Sequence, residues 1–260
     1  MPVLFKSVKR IDEGVVQREF DVDVAGETVP CVLCTPASPI APRALIAMGH
    51  GGSQHKTCES IYRRAIRYAK LFSWATLAID APKHGERISP EEAALERAKT
   101  LARVRGDPNA PAMSIKDKIN YLDALASQAV PEWKAALDAV LDSNTISNET
   151  PMAYWGVSMG SSIGIPLLAA DKRFKCAVLG LAHLHPDHTT LRLAAQQITI
   201  PLRFAFQWHD PIRERAYGLA LFDAFGSQEK SMHINPGGHL EIPASEQASW
   251  DHFFERHLHR

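Results

Sequence analysis

Residues 152–160 read Met152-Ala153-Tyr154-Trp155-Gly156-Val157-Ser158-Met159-Gly160, an apolar, aromatic run that closes in Gly156-x-Ser158-x-Gly160. Small and apolar residues at helical spacing follow at once: Ser161, Ser162, Ile163, Gly164, Ile165, then Leu167 and Leu168. Strand, tight turn and helix in that order would set Ser158 at the carboxyl end of a strand with its hydroxyl in the open. The flanking glycines would keep side chains out of a crowded turn. A Gly/Ser-rich turn without chemistry is the alternative, and the pentapeptide alone does not exclude it. The elements on either side favour a nucleophile.

Working outward, the chain of 260 residues is long enough to bury a sizeable core, and a single α/β domain over 1–260 is expected. Lys plus Arg and Asp plus Glu stand at 29 each, so no charge excess draws the chain to nucleic acid or to an acidic membrane surface. A hydrophobic share of 45% with 22% charged residues is that of a globular protein, and no apolar run reaches the length of a membrane span. The start, Met1-Pro2-Val3-Leu4-Phe5-Lys6, has no apolar leader core or cleavage site and reads as unprocessed and cytoplasmic. Cys31-x-x-Cys34 resembles a redox pair but lies inside a strand pattern, where its odd spacing sends the thiols to opposite faces. With Cys58 and Cys176 these read as buried small residues.

Taken in order, Val15 to Val24 and Thr28 to Thr35 read as an antiparallel hairpin at the sheet edge, turning at Ala25-Gly26-Glu27. Pro36 to Pro42 is a proline-punctuated loop. Ala44 to Met48 is a buried parallel strand ending in His50-Gly51-Gly52-Ser53, and Trp74 to Ile79 is another, ending in Asp80-Ala81-Pro82-Lys83-His84-Gly85. Ser89-Pro90-Glu91-Glu92 is a capping box that opens a helix to about Arg105, and Ser114-x-x-Asp117 opens a second, which Pro131 should kink or break. One crossover needs one helix, so the stretch from about Gly85 to Met113 reads as an insertion and a candidate lid. Strands follow at Met152, Cys176 to Leu181, Leu202 to Trp208 and Lys230 to Ile234. Helices are expected near Leu191 to Gln196, Ile212 to Phe225 and Ala244 to His259. The alternation predicts a three-layer α/β fold: a mostly parallel sheet of about eight strands with helices on both faces.

A serine hydroxyl needs a base to take its proton, and the base needs an orienting acid. Active groups in such sheets gather at the carboxyl ends of the strands. Asp210 comes directly after the strand that ends at Trp208, and His239 follows the last strand in Asn235-Pro236-Gly237-Gly238-His239. Both stand in the order Ser, Asp, His. Glu214 and Asp187 are weaker acids because neither directly follows a strand, and His233 is a weaker base because it sits within one. For the charge created on a substrate oxygen, the Met159 N–H opens the helix after Ser158. The second donor should come from His50-Gly51-Gly52-Ser53, with Gly52 favoured and Ser53 as fallback. His50 reads as an organiser of that loop rather than a catalyst.

His50-Gly51-Gly52, Asp80-x-Pro82-x-His84-Gly85, Gly156-x-Ser158-x-Gly160, Asp210 and Gly238-His239 together resemble the α/β-hydrolase superfamily. The likeness is greatest to its dienelactone-hydrolase-like and prolyl-oligopeptidase-like esterase branch and runs from about Leu45 to the C-terminus. It implies an α/β-hydrolase fold with Ser158 as nucleophile, His239 as base and Asp210 as orienting acid. His84 would stabilise its loop. The chain departs from dienelactone hydrolases in carrying serine where they carry cysteine, and it has no room for the propeller of the prolyl oligopeptidases.

The resemblance points to hydrolysis of a small-molecule carboxylic ester through an acyl-enzyme, by a monomer or homodimer. Lactone, thioester or amide cleavage on the same residues is the alternative, and a ligand-binding protein that has lost catalysis is a further one. Gly52, Ser53, Trp155, Met159, His183 and Trp208, with the insertion after Gly85, sketch the pocket. His183-x-His185-x-x-His188 with Asp187 has donors that suit zinc or iron. The triad already accounts for the chemistry, so these residues read as pocket lining or surface, and neither metal nor other cofactor is expected.

Overall fold

The computed structural model describes residues 3–38 and 40–259; Met1, Pro2, Pro39 and Arg260 lie outside it, and with them parts of the N-terminal reading and of the proline-punctuated loop. The strands are β1 (Ser7–Asp12), β2 (Val15–Val24), β3 (Glu27–Pro36), β4 (Ala44–Gly49), β5 (Trp74–Ile79), β6 (Met152–Val157), β7 (Phe174–Gly180), β8 (Leu202–Gln207) and β9 (Lys230–Asn235). Among the described residues they form one 9-stranded sheet in the order β1-β2-β3-β5-β4-β6-β7-β8-β9. From β5 to β9 neighbouring strands run parallel, while β1, β2 and β3 join antiparallel. This is the expected three-layer α/β-hydrolase architecture, with one strand more than the sequence pattern implies.

The additional strand is β1, and it corrects the placement of the hairpin. β2 and β3 pair in register from Val15↔Pro36 to Val24↔Glu27. Ala25 and Gly26 both take positive φ (52° and 83°), the turn whose twist matches a hairpin. The hairpin is not the sheet edge, however, because β1 lies outside it with Ser7 opposite Glu19. Ser-Val-Lys-Arg-Ile-Asp carries no clean alternation, since an edge strand guarded by Lys9 and Arg10 is shaped by solvent as much as by the core.

Helices α1 (Glu59–Phe72) and α7 (Ala244–Leu258) cover one face of the sheet. The other is covered by α3 (Ile115–Asp142), α4 (Met159–Ala170), α5 (Thr189–Gln196) and α6 (Arg215–Ala224). The pleat divides the core accordingly: Leu45 and Ala47 of β4 face α3 and α4, whereas Ala44, Ile46 and Met48 face α1 and α7. Cys31 and Cys34 fall into opposite clusters, both buried. α3 continues through Pro131 as one helix, so of the expected kink or break the break does not occur. A proline inside a helix costs about 3 kcal/mol. Trp133, Leu137 and Val140, buried immediately after it, each contribute about 1.5–3 kcal/mol and hold the helix on the sheet.

The chain leaves β4, turns back to β5 on one side and resumes at β6 on the other. The strand order therefore reverses beside β4, and a crevice opens at the carboxyl ends of β4 and β6. Over that crevice lies α2 (Pro90–Val104), whose capping box forms as expected: the Ser89 hydroxyl accepts from Glu92 N–H and the Glu92 carboxylate accepts from Ser89 N–H.

Candidate active site

β6 ends at Val157, and Ser158 turns the chain into α4 with φ 57° and ψ −118°. A residue with a Cβ in that region is strained by about 1–3 kcal/mol, so the surroundings must hold it there. They do so through β7. Ser158 N–H donates to Gly180 O at 2.8 Å, and the buried Ser161 hydroxyl bridges Gly156 O (2.8 Å) and the Gly180 backbone. Tyr154 Oη donates to Gly160 O at 2.7 Å. The two motif glycines are there for close approach. A Cβ on Gly160 would lie 2.3 Å from Gly49 O, and one on Gly156 would lie 2.9 Å from Gly160 O. α4 can therefore start directly against β4 only if both positions lack a side chain.

His239 reaches this serine from the loop after β9. Its Nε2 lies 2.9 Å from Ser158 Oγ, and its Nδ1 lies 2.6 Å from Asp210 Oδ2. An ionised carboxylate only accepts, so Nδ1 carries the proton and Nε2 is left to accept from the serine hydroxyl. Asp210 is fixed in turn by Ile212 N–H, which donates to Oδ1 at 2.9 Å, and both Asp210 and His239 are buried. The weaker candidates lie elsewhere. Glu214 stands just before α6 without a side-chain capping bond, Asp187 is exposed beside His185 (3.5 Å), and His233 faces Glu246 (3.1 Å).

The loop after β4 is ordered by His50. Ala81 N–H donates to its Nε2 at 3.0 Å, so the ring proton sits on Nδ1 and is donated to Gly51 O at 2.8 Å. Burial, and then the neighbouring His84, push its pKa down to about 4, so the ring is neutral at ordinary pH. The loop after β5 is held by Asp80, which is fully buried. It accepts from Lys56 N–H (2.8 Å), Lys56 Nζ (3.0 Å) and Glu86 N–H (3.0 Å), and Lys56 also pairs with Glu86. Gly85 has φ +58°, and a Cβ there would sit 2.2 Å from Asp80 Cγ. The motif Asp80-x-Pro82-x-His84-Gly85 is thus a loop scaffold, and His84 Nδ1, 2.9 Å from Pro82 O, belongs to it.

Between these loops lies a cavity of about 1440 Å³ into which Ser158 and His239 open. Of the residues singled out from sequence, Gly52, Ser53, Trp155, Met159 and His183 line it, and residues of α2 and its following loop roof it, Leu95 and Met113 among them. Trp208 does not. It stands one residue past β8, 39% exposed, with the Arg215 guanidinium over its ring at 4.5 Å and Arg215 Nε donating to its carbonyl at 3.0 Å. Strand alternation sets side-chain direction only within the strand, and the cation–π contact decides it here.

Pattern reading missed Lys118 and Arg213, which also line the cavity. Lys118 falls on the same helix face as Leu122, Leu125 and Ala129, a charge on an apolar stripe that was the available signal. The histidines after β7 separate: His183 Nε2 lies 3.4 Å from Lys118 Nζ, whereas His188 Nε2 donates to Asp123 Oδ1 at 2.9 Å. Among the described residues no group of three or more His, Cys, Asp or Glu side chains is arranged to hold a metal ion.

No protein-family model matches the chain, and no curated protein sequence matches it. Solved structures do. The chain is similar to a cold-adapted esterase from an Arctic intertidal metagenomic library, solved as a PEG-bound complex, with 30% identity and a TM-score of 0.81 over 99% of this chain and 100% of that one. It shares its fold with an acetyl xylan esterase from Paenibacillus sp. R4 (17% identity, TM-score 0.68, 99% and 90% coverage). The same holds for the Pyrococcus furiosus esterase Pf2001 (12% identity, TM-score 0.65, 93% of each chain). The chain belongs to the α/β-hydrolase superfamily, among members of the esterase type. None of the described helices is long and apolar enough to cross a membrane.

Proposed function

We propose that this protein is a serine esterase that cleaves carboxylic esters of small molecules through an acyl-enzyme. The observation that carries the reading is the continuous contact Ser158 Oγ–His239 Nε2 (2.9 Å) and His239 Nδ1–Asp210 Oδ2 (2.6 Å) at the mouth of a cavity. Ser158 Oγ attacks the ester carbonyl carbon as its proton passes to His239 Nε2, and Asp210 stabilises the resulting imidazolium. The charge that develops on the carbonyl oxygen is met by the N–H groups of Met159 and Gly52, the first at the positive end of α4. Collapse expels the alkoxide, which takes the proton from His239. Water, deprotonated by the same ring, then attacks the acyl-serine and releases the acid. Ser53, Trp155 and His183 contribute to the pocket wall, and residues 85–113 act as a cover on a single domain spanning 1–260.

The test is labelling by a fluorophosphonate together with hydrolysis of short-chain p-nitrophenyl esters. The wild-type protein should be labelled and turn the esters over. Ser158→Ala should remain unlabelled and lose turnover by about 10⁶-fold, as loss of a triad serine does elsewhere. Wild-type-like turnover in the folded alanine variant would remove Ser158 from the mechanism.

A further inference from the structure

Two cations at or near the cavity, Arg87 and Lys56, have carboxylate partners, whereas Arg64 in its wall donates to Ser60 O and lies over Trp155. Arg87, in the cavity wall, is held bidentately by Glu132 (both contacts 2.8 Å), and Lys56 is held by Asp80 and Glu86. Lys118, Arg213 and Arg103 line the same cavity with neutral partners instead. Arg213 donates Nε to Leu181 O (2.7 Å) and Nη1 to Ile212 O (3.1 Å). Arg103 donates to Thr100 Oγ1 (3.1 Å), and Lys118 Nζ faces His183 Nε2. An ammonium can only donate, so His183 accepts on Nε2 and carries its proton on Nδ1, which is buried without an acceptor.

The acids on the cavity wall are engaged elsewhere. Glu92 closes the capping box, Glu96 pairs with Lys99 at 2.7 Å, and Asp107 accepts from Asn109 N–H at 2.8 Å. Asp210 is committed to His239 and Ile212. Burial, with Arg213 and Arg103 adding repulsion, lowers the Lys118 pKa to about 8, and burial lowers that of Arg213 as well. Charges held this way raise the energy of the empty cavity, and an anion entering it would relieve them. Leu181, whose carbonyl anchors Arg213, lines the cavity with Ser158, so this positive wall belongs to the space that the nucleophile opens into.

We propose that the cavity takes esters bearing a second, ionised carboxylate, such as monoesters of dicarboxylic acids, with Lys118 and Arg213 holding that carboxylate while Ser158 attacks the ester. This assignment rests on the esterase reading above. Fixed cations at Lys118 and Arg213 would orient the substrate as well as attract it.

The test compares monoethyl adipate with ethyl hexanoate, close in length and differing in the terminal carboxylate, by proton release near pH 7. Within the wild-type protein, kcat/KM should favour the monoadipate by about tenfold or more, in line with charge-assisted contacts. That ratio should fall by about tenfold in Lys118→Met and in Lys118→Gln, and Lys118→Glu should invert it. A wild-type ratio at or below one, or a ratio unmoved in folded Lys118 variants, overturns the proposal while leaving ester hydrolysis standing. If neither ester is hydrolysed, the esterase reading fails separately, and calorimetric titration of adipate into Ser158→Ala decides the anion site. Binding that weakens by about tenfold in Ser158→Ala/Lys118→Met supports it. Absence of binding to Ser158→Ala overturns it.

Discussion

Asp210 binds two donors at once: its Oδ2 lies 2.6 Å from His239 Nδ1 while its Oδ1 accepts Ile212 N–H at 2.9 Å. Asparagine can satisfy the backbone donor, but it presents an amide N–H or a weaker acceptor to the ring and releases the tautomer. Asp210→Asn should therefore fold with near wild-type stability and lose about 10⁴-fold in kcat on p-nitrophenyl esters. Urea melts alongside steady-state kinetics will separate the two effects.

Gly85 is required by both conformation and space. Alanine at φ +58° would be strained, and its Cβ would fall 2.2 Å from the Cγ of a fully buried carboxylate. Moving Asp80 strips Lys56 of its buried partner, and breaking a buried ion pair on one side costs about 3–5 kcal/mol. Gly85→Ala should thus lower the stability measured by urea unfolding by about 3 kcal/mol or more.

The neutral His50 ring makes stability depend on pH. Its folded pKa of about 4 is below the ordinary histidine value of 6.5, so between these pH values the unfolded chain binds a proton that the folded protein refuses. Stability must then rise with pH across this window and be lost as pH falls from 6.5 towards 4. His84, whose ring centroid is 5.3 Å away and whose pKa burial also lowers, adds in the same direction. The urea midpoint followed from pH 7 to 4 should slope less steeply in His50→Gln than in the wild type.

Lys118 gives a second pH window. Its folded pKa of about 8 lies below the ordinary 10.5, chiefly through burial, with Arg213 and Arg103 also opposing its charge and Asp210 and Glu214 favouring it. Below pH 8 the folded protein carries the full cost of the charge. Lys118→Met should then be more stable than the wild type by about 1 kcal/mol, once solvent screening at this part-exposed site is discounted. The gain should shrink as pH rises from 8 to 10.5, where the wild-type lysine folds neutral. Urea melts of both proteins at pH 7 and 10 check the sign.

Much of the site was legible in the sequence because its parts are local. Ser158, Asp210, His239 and the His50–Ser53 loop each follow directly on a strand, and a strand's end fixes what comes after it in space. What escaped is what depends on distant chain meeting. Lys118 and Arg213 are separated by most of the second half of the molecule and come to one cavity only because α3 begins beside the exit of β8. Trp208 was misplaced because alternation stops with the strand, and β1 was missed because its charges answer to solvent. Pro131 does not break α3 because local propensity gives way to the burial of Trp133 and its neighbours.

Of the residues in α2 only Val104 is buried, and Leu95 on the cavity side is 56% exposed. Against strands β4 to β8, which are buried along nearly their whole length, such a helix is bound by very little apolar contact. Lifting it uncovers almost nothing that water was not already touching, so its amide hydrogens should exchange long before those of β4 and β6 do. On the proposed reading of residues 85–113 as a cover, the entrance beneath it would have no fixed bore: the sheet would choose where the bond is cut, and the loosely seated helix would set how bulky a guest is admitted.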